Sequence, residues 1–150
     1  MVNRPTRMPV GLRLARSSKA VGHAFNAALE EGGGSLPVWL ILSSLTAADW
    51  PAQAGLAASL GIEGATLTRH LDRMEEAGLL RRRRDPDDRR AVRLELTDRG
   101  RTLHGELLAI VIAFDRRLRA GLTEEELVLL DELLTRLERN ARGEQGQASA

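Results

Sequence analysis

The side chains in this sequence best equipped for chemistry are arginines. Arg69 and Arg73 stand one helical turn apart, and the stretch from Arg81 to Arg90 sets Arg81, Arg82, Arg83, Arg84, Arg89 and Arg90 against Asp85, Asp87 and Asp88. Each guanidinium offers a planar fork of N–H donors that matches a phosphate or the guanine edge in a major groove. The same run also fits a solvated strand face with its aspartates as local ion pairs, the ordinary fate of clustered charge. The three histidines, His23, His70 and His104, are scattered, and without cysteine a metal site would have to be assembled from distant segments. His104 and Glu106 are two residues apart on a helix and face apart, which removes the obvious acid–base pair. With no Ser-His-Asp order, glycine-rich phosphate loop or paired-carboxylate motif, the chain reads as a binding protein without a cofactor rather than an enzyme.

Composition narrows the kind of binding. The 150 residues fit one compact subunit, 43% hydrophobic and 29% charged, as in an ordinary globular protein. Aromatic residues make up 3% and tyrosine is absent, so the stacking platforms that grip single strands are missing and duplex is the expected nucleic acid. Net charge is only +1 and Lys19 is the sole lysine, so any electrostatic argument rests on where the arginines sit. The lack of cysteine rules out disulfides and thiol switches. No run approaches the ~18 apolar residues of a membrane span, and residues 1–10 lack the apolar core of a signal peptide, which predicts a cytoplasmic protein.

The elements that must position these arginines are legible from period and punctuation. Residues 8–31 place Leu14, Val21, Phe25 and Ala28 on one helical face, with Arg13, Arg16 and Lys19 largely elsewhere. Gly32, Gly33 and Gly34 interrupt the pattern, and Ser35 followed by Pro37 starts a second helix reaching about residue 48, apolar nearly all round. A short helix over 52–60 ends at Gly61, and another over 62–77 ends at Gly78. In the latter Leu67, Leu71 and Met74 recur at helical spacing while Thr66, Thr68, Arg69, His70 and Arg73 lie on or beside the opposite face, the arrangement of a helix-turn-helix with its reading helix second. Strands over 80–84 and at Val92, Leu94 and Leu96 flank the turn residues Asp85-Pro86-Asp87-Asp88 and form a hairpin. Thr97 caps a long helix to about residue 120, carrying Leu103, Leu107, Ile110, Phe114 and Leu118 on one stripe. Thr123 and Glu126 form a capping box for a last helix in which Leu127, Leu130, Leu134 and Leu137 follow coiled-coil spacing, and a polar tail after Asn140 is expected to be disordered.

Order and chemistry together resemble the MarR family from about residue 8 to 140. The sharpest stretches are Leu56-Ala57-Ala58-Ser59-Leu60-Gly61-Ile62, Thr66-Leu67-Thr68-Arg69-His70-Leu71-Asp72-Arg73-Met74-Glu75-Glu76-Ala77-Gly78-Leu79-Leu80, Arg84-Asp85-Pro86-Asp87-Asp88-Arg89-Arg90 and Leu96-Thr97-Asp98-Arg99-Gly100. A lone helix-turn-helix is weak evidence, whereas an acidic turn followed by paired arginines at this distance after it is specific. The resemblance implies a mainly α fold with a small β-hairpin wing, a winged helix-turn-helix of six helices in an intertwined homodimer. Residues 1–31 and 101–140 would form the dimerisation region, 35–100 the DNA-binding lobe, and 141–150 a disordered tail.

The resemblance also implies roles. Arg69 falls where the family reads bases in the major groove, with Thr66 and Thr68 nearby and Arg73 near phosphate. Arg81 and Arg83 lie on the wing, and Arg89 and Arg90 fall where it enters the minor groove, with Asp88 orienting an arginine. Leu14, Val21, Phe114, Leu118, Leu127, Leu130, Leu134 and Leu137 would hold the dimer. His23, Phe25, Trp39 and His104 would border a pocket for a small aromatic or anionic effector, although core or dimer packing is the simpler role for Phe25 and Trp39. Two departures from the family pattern stand at the start of the reading helix: Glu63 replaces the usual Ser or Thr cap, and Ala65 replaces a common proline, beside Gly64. An acid at that terminus stabilises the helix but repels phosphate. The expected function is a regulator, most simply a repressor, that binds a pseudo-palindromic duplex and is modulated by a ligand. A winged-helix module for protein–protein contact and a metal-responsive regulator are the alternatives.

Overall fold

A computed structural model of the chain describes residues 7–50, 52–84 and 92–144. The elements in order are α1 (Val10–Glu31), α2 (Leu36–Ala47), α3 (Gln53–Leu60), α4 (Gly64–Glu76), β1 (Leu80–Arg84), β2 (Val92–Leu96), α5 (Asp98–Leu118) and α6 (Glu124–Ala141). The fold is therefore mainly helical with one small antiparallel hairpin, as the sequence led us to expect. Two compact units divide it, Met1–Phe114 and Asp115–Ala150. Among the described residues no helix is long and apolar enough to cross a membrane.

The caps explain where the helices begin. Ser35 accepts the backbone N–H of Val38 and a proline occupies the first turn of α2. Thr123 and Glu126 form the reciprocal capping box of α6. Glu63 stands before α4 in extended conformation and makes no side-chain cap.

The core of the first unit is built by α2, α3, α4, the hairpin and parts of α1 and α5. Leu29, Ile41, Leu42, Leu56, Leu67, Leu71, Met74, Leu79, Leu80 and Leu107 are buried together, with Phe25, Trp39, Trp50, Leu94 and Leu96 packed against them. Trp50 fixes the entry to the helix-turn-helix by donating its indole N–H to the Ser44 carbonyl at 3.0 Å. In the hairpin Leu80 pairs with Leu96, Arg82 with Leu94 and Arg84 with Val92. The expected alternation of β2 holds only in part: Leu94 and Leu96 reach the core, but Val92 is 39% exposed because its end of the hairpin extends past the packed leucines.

One junction ties the hairpin and α5 to the end of α4. Gly78 turns the chain with φ of 71°, a left-handed conformation that costs a side chain dearly. The Thr97 hydroxyl donates to the Gly78 carbonyl at 2.6 Å and accepts the Gly100 N–H at 3.1 Å, capping α5. The Thr97 N–H donates to the Leu79 carbonyl at 3.1 Å. Gly100 is buried here, and a Cβ on it would run into that same carbonyl. Gly105, further along α5, has no such neighbour. Gly100→Ala should therefore lower stability by about 1–3 kcal/mol, because backbone rather than a flexible side chain must give way. Gly105→Ala should raise it by up to ~1 kcal/mol through helix propensity. Urea unfolding of the two variants beside the parent checks both signs.

Candidate nucleic-acid interface

Arginine becomes a reader only when a rigid element holds it away from the core, and α4 does this by its period. Leu67, Leu71 and Met74 are buried on its inner face, while Thr68, Arg69 and Arg73 are exposed on the outer one and Thr66 and His70 are half-buried at its margins. The outer face is locally ordered. Arg69 donates to the Thr66 hydroxyl at 3.2 Å, and the Thr68 hydroxyl donates back to the Gly64 carbonyl at 3.0 Å. Thr68 thus satisfies the helix backbone, the bland role its position always allowed, while Thr66 orients Arg69.

The four consecutive arginines of β1 separate by the strand's period of two. Leu80 is buried and Arg82 half-buried on the side toward α4, whereas Arg81 and Arg83 are exposed on the other. Arg83 pairs across the hairpin with Glu95 at 3.2 Å. Arg82, which the sequence did not single out, makes three hydrogen bonds to acids of α4. Its guanidinium donates to Glu75 at 2.6 Å and to Asp72 at 2.7 Å, and its backbone N–H donates to Glu75 at 2.9 Å. The signal available in the sequence was the pair Asp72 and Glu75, three apart on the helix face beside the hairpin. Asp88, Arg89 and Arg90, expected at the wing tip, lie outside the described residues.

Electrostatics follows these contacts. The Glu75 carboxyl is held below its usual pKa first by the Arg82 backbone N–H and then by the Arg82 guanidinium. Burial works against the charge of Arg82, but hydrogen bonds to Asp72 and Glu75 outweigh it and raise its pKa. At the start of α5 the Asp98 carboxyl is lowered by the hydrogen bond from Arg101 and by that residue's charge.

The residues expected at an effector pocket divide. Trp39 of α2 and His104 of α5 stack in parallel with an offset, ring centroids 5.3 Å apart and planes 5° from parallel. Phe25 instead meets Phe114 at 5.0 Å with planes tilted by 44°, and His23 is exposed on α1. Among residues expected at a dimer contact, Phe114 is only 9% exposed, covered within its own chain. Leu14, Val21, Leu118 and Leu130 are exposed, and Leu127, Leu134 and Leu137 are half-buried. Leu108, Ile112, Val128, Leu129 and Leu133 are exposed as well and were not anticipated. No group of three or more His, Asp or Glu among the described residues is arranged to hold a metal ion.

Comparison with known proteins places this geometry. A family model described as MarR family matches residues 35–92, the span from the cap of α2 to the start of β2. The transcriptional regulator PA3341 is 34% identical, with a TM-score of 0.74 over 90% of this chain and 99% of that one. CouR, a transcriptional repressor solved on a 23-mer DNA duplex, is 28% identical with a TM-score of 0.79, covering 87% of this chain and 93% of its own. A MarR variant from E. coli complexed with operator DNA is 25% identical with a TM-score of 0.76, covering 87% and 94%.

Two depressed carboxylates fix the direction of the pH response. A lowered folded pKa adds stability that is present above the unfolded values, ~4.3 for Glu and ~3.9 for Asp, and is lost as pH falls through them toward the folded values. Urea midpoints should therefore show no contribution from Glu75 or Asp98 to any change between about pH 6 and 8, then decline below about 4.5. In Glu75→Gln the acid decline should be shallower.

Proposed function

The chain belongs to the MarR family of DNA-binding transcription regulators, and from that membership we propose that it is a homodimeric repressor whose hold on a pseudo-palindromic duplex is loosened by a small ligand. The observation that carries the reading is the outer face of α4, where Arg69 is exposed and braced by Thr66 on a helix whose other face is locked in the core. A braced arginine two turns into such a helix suits a guanine edge, and the helix's first backbone N–H groups favour phosphate. Glu63 adds a negative charge there, so the phosphate contact falls to Arg73 and the hairpin rather than to the cap.

On this proposal Arg69 enters the major groove with Thr66 and Thr68 beside it, and Arg73, Arg81 and Arg83 line the phosphates. Arg89 and Arg90, oriented by Asp88, reach the minor groove, where focused negative potential favours arginine. Residues 35–100 act as the DNA-binding lobe, and residues 1–31 and 101–140 bring two lobes to half-sites ~34 Å apart. CouR is described as a repressor, which favours repression here. The ligand proposal is supported by the stacked Trp39 and His104, a flat pair that spans α2 of the lobe and α5 and that an aromatic anion can slide between or displace.

Operator binding should follow the two contact classes. Arg69→Ala should cost about 1–3 kcal/mol and relax preference at one base pair of each half-site. Arg89→Ala with Arg90→Ala should weaken binding to all duplexes and flatten the salt dependence by about two phosphates per protomer. Fluorescence anisotropy on the chain's own upstream duplex across a salt series measures both. An unchanged salt slope in the wing variant would remove the wing contact. Titration of the complex with aromatic carboxylates should release DNA from the parent protein, and His104→Ala should bind DNA normally but resist release.

A further inference from the structure

Four adjacent arginines present themselves to solvent and partners very differently, and the one turned inward has its own task. Arg82 is 23% exposed, against 60% for Arg83. It lies on β1 opposite Leu94, on the strand side that carries buried Leu80. Its backbone N–H points to the outer edge of a two-stranded ribbon, where no third strand among the described residues accepts it. Glu75 accepts that N–H at 2.9 Å with one carboxylate oxygen and the guanidinium at 2.6 Å with the other, while Asp72 takes the second guanidinium nitrogen at 2.7 Å. Main chain and side chain of a hairpin residue are thus both fastened to the last turns of the helix that carries Arg69 and Arg73.

Charge alone would argue against such an arrangement in a DNA-binding lobe. Two carboxylates beside the exposed arginines reduce attraction to phosphate, and an arginine committed to them cannot contact DNA. What the contacts supply instead is geometry. Charge-assisted, forked hydrogen bonds restrict both distance and angle. A two-stranded hairpin is marginal on its own and needs packing against something else to hold its direction. We propose that Arg82, gripped by Glu75 and Asp72, is a positioning residue for DNA recognition that fixes the angle between the wing and the reading helix, so that both meet the duplex in register. The inference rests on the functional reading above.

The proposal and simple electrostatics predict opposite signs for one substitution. Glu75→Gln removes a negative charge near the duplex, which by charge alone strengthens binding. As a positioning contact its loss weakens operator binding, by about tenfold for a coupled contact of this kind. Asp72→Asn, which leaves Glu75 on both the backbone and the side chain, weakens it less. Binding to generic duplex should change little in either variant, so the ratio of operator to generic affinity falls. A purely structural defect would scale both affinities by the same folded fraction and leave that ratio alone.

The experiment measures both affinities for the full-length parent, Glu75→Gln, Asp72→Asn and Arg82→Gln, together with hydrogen exchange of the Arg82 amide without DNA. Supporting results are a reduced ratio in Glu75→Gln and Arg82→Gln, a smaller reduction in Asp72→Asn, and faster Arg82 exchange in Glu75→Gln. If Arg82→Gln fails to fold, the two acid-to-amide variants decide the matter. Operator binding by Glu75→Gln equal to or tighter than the parent overturns the inference while leaving the regulator reading standing. Failure of the parent to bind any duplex overturns the regulator reading, and the inference with it.

Discussion

The constraint on which the lobe depends is the closure of residues 78–100 on themselves. The carbonyls of Gly78 and Leu79 receive the hydroxyl and the N–H of Thr97, and Gly100 lets the first turn of α5 approach that same carbonyl. This puts the return of the hairpin within two residues of where it left α4, with Leu79, Leu80, Leu94 and Leu96 turned to the core. Everything outward-facing inherits its direction from that closure. The outer side of α4, the exposed arginines of β1 and the start of α5 are all set by a few backbone carbonyls and one glycine without room for a methyl group.

Given that frame, many of the acids of a chain with a net charge of only +1 are committed to particular arginines. Asp72 and Glu75 face Arg82, Glu95 meets Arg83, Asp98 meets Arg101, and Asp115 and Glu124 meet Arg119. None of these pairs is deeply buried, so their value lies in direction more than in stability. Arg69, by contrast, is braced by a neutral threonine. A hydroxyl orients the guanidinium without neutralising it.

Much of this was visible in the sequence because it is written in local chemistry. Ser35 with Pro37, Thr97, and Thr123 with Glu126 each satisfy N–H groups within three residues, so the caps of α2, α5 and α6 follow from spacing alone. The leucine period of α4 and the strand over Leu80–Arg84 were equally local. What escaped depends on contacts between distant residues. Arg82 differs from Arg81 and Arg83 only in which way the strand turns it, and that matters only once Asp72 and Glu75 are known to lie beside it. Phe114 reads as a seam residue in the stripe of α5 but finds Phe25, 89 positions earlier in the chain, and is covered there. Val92 continues an apolar alternation, yet the core ends before it does.

The distribution of exposed apolar side chains carries the argument to assembly. Between residues 35 and 97 the described chain leaves only Val92 among its large exposed hydrophobics, its core being completed by Leu29 of α1 and Leu107 of α5. Val10, Leu12, Leu14 and Val21 on α1, Leu108, Ile112 and Leu118 on α5, and Val128, Leu129, Leu130 and Leu133 on α6 are all exposed. Apolar side chains exposed in groups along a helix are what an association interface requires, whereas single scattered residues need none. A second copy related by a twofold axis offers the same helices in return. The core beneath α4 and the hairpin takes in Leu29 of α1 and Leu107 of α5, so a displacement of either helix is felt in the packing that sets the outer face of α4.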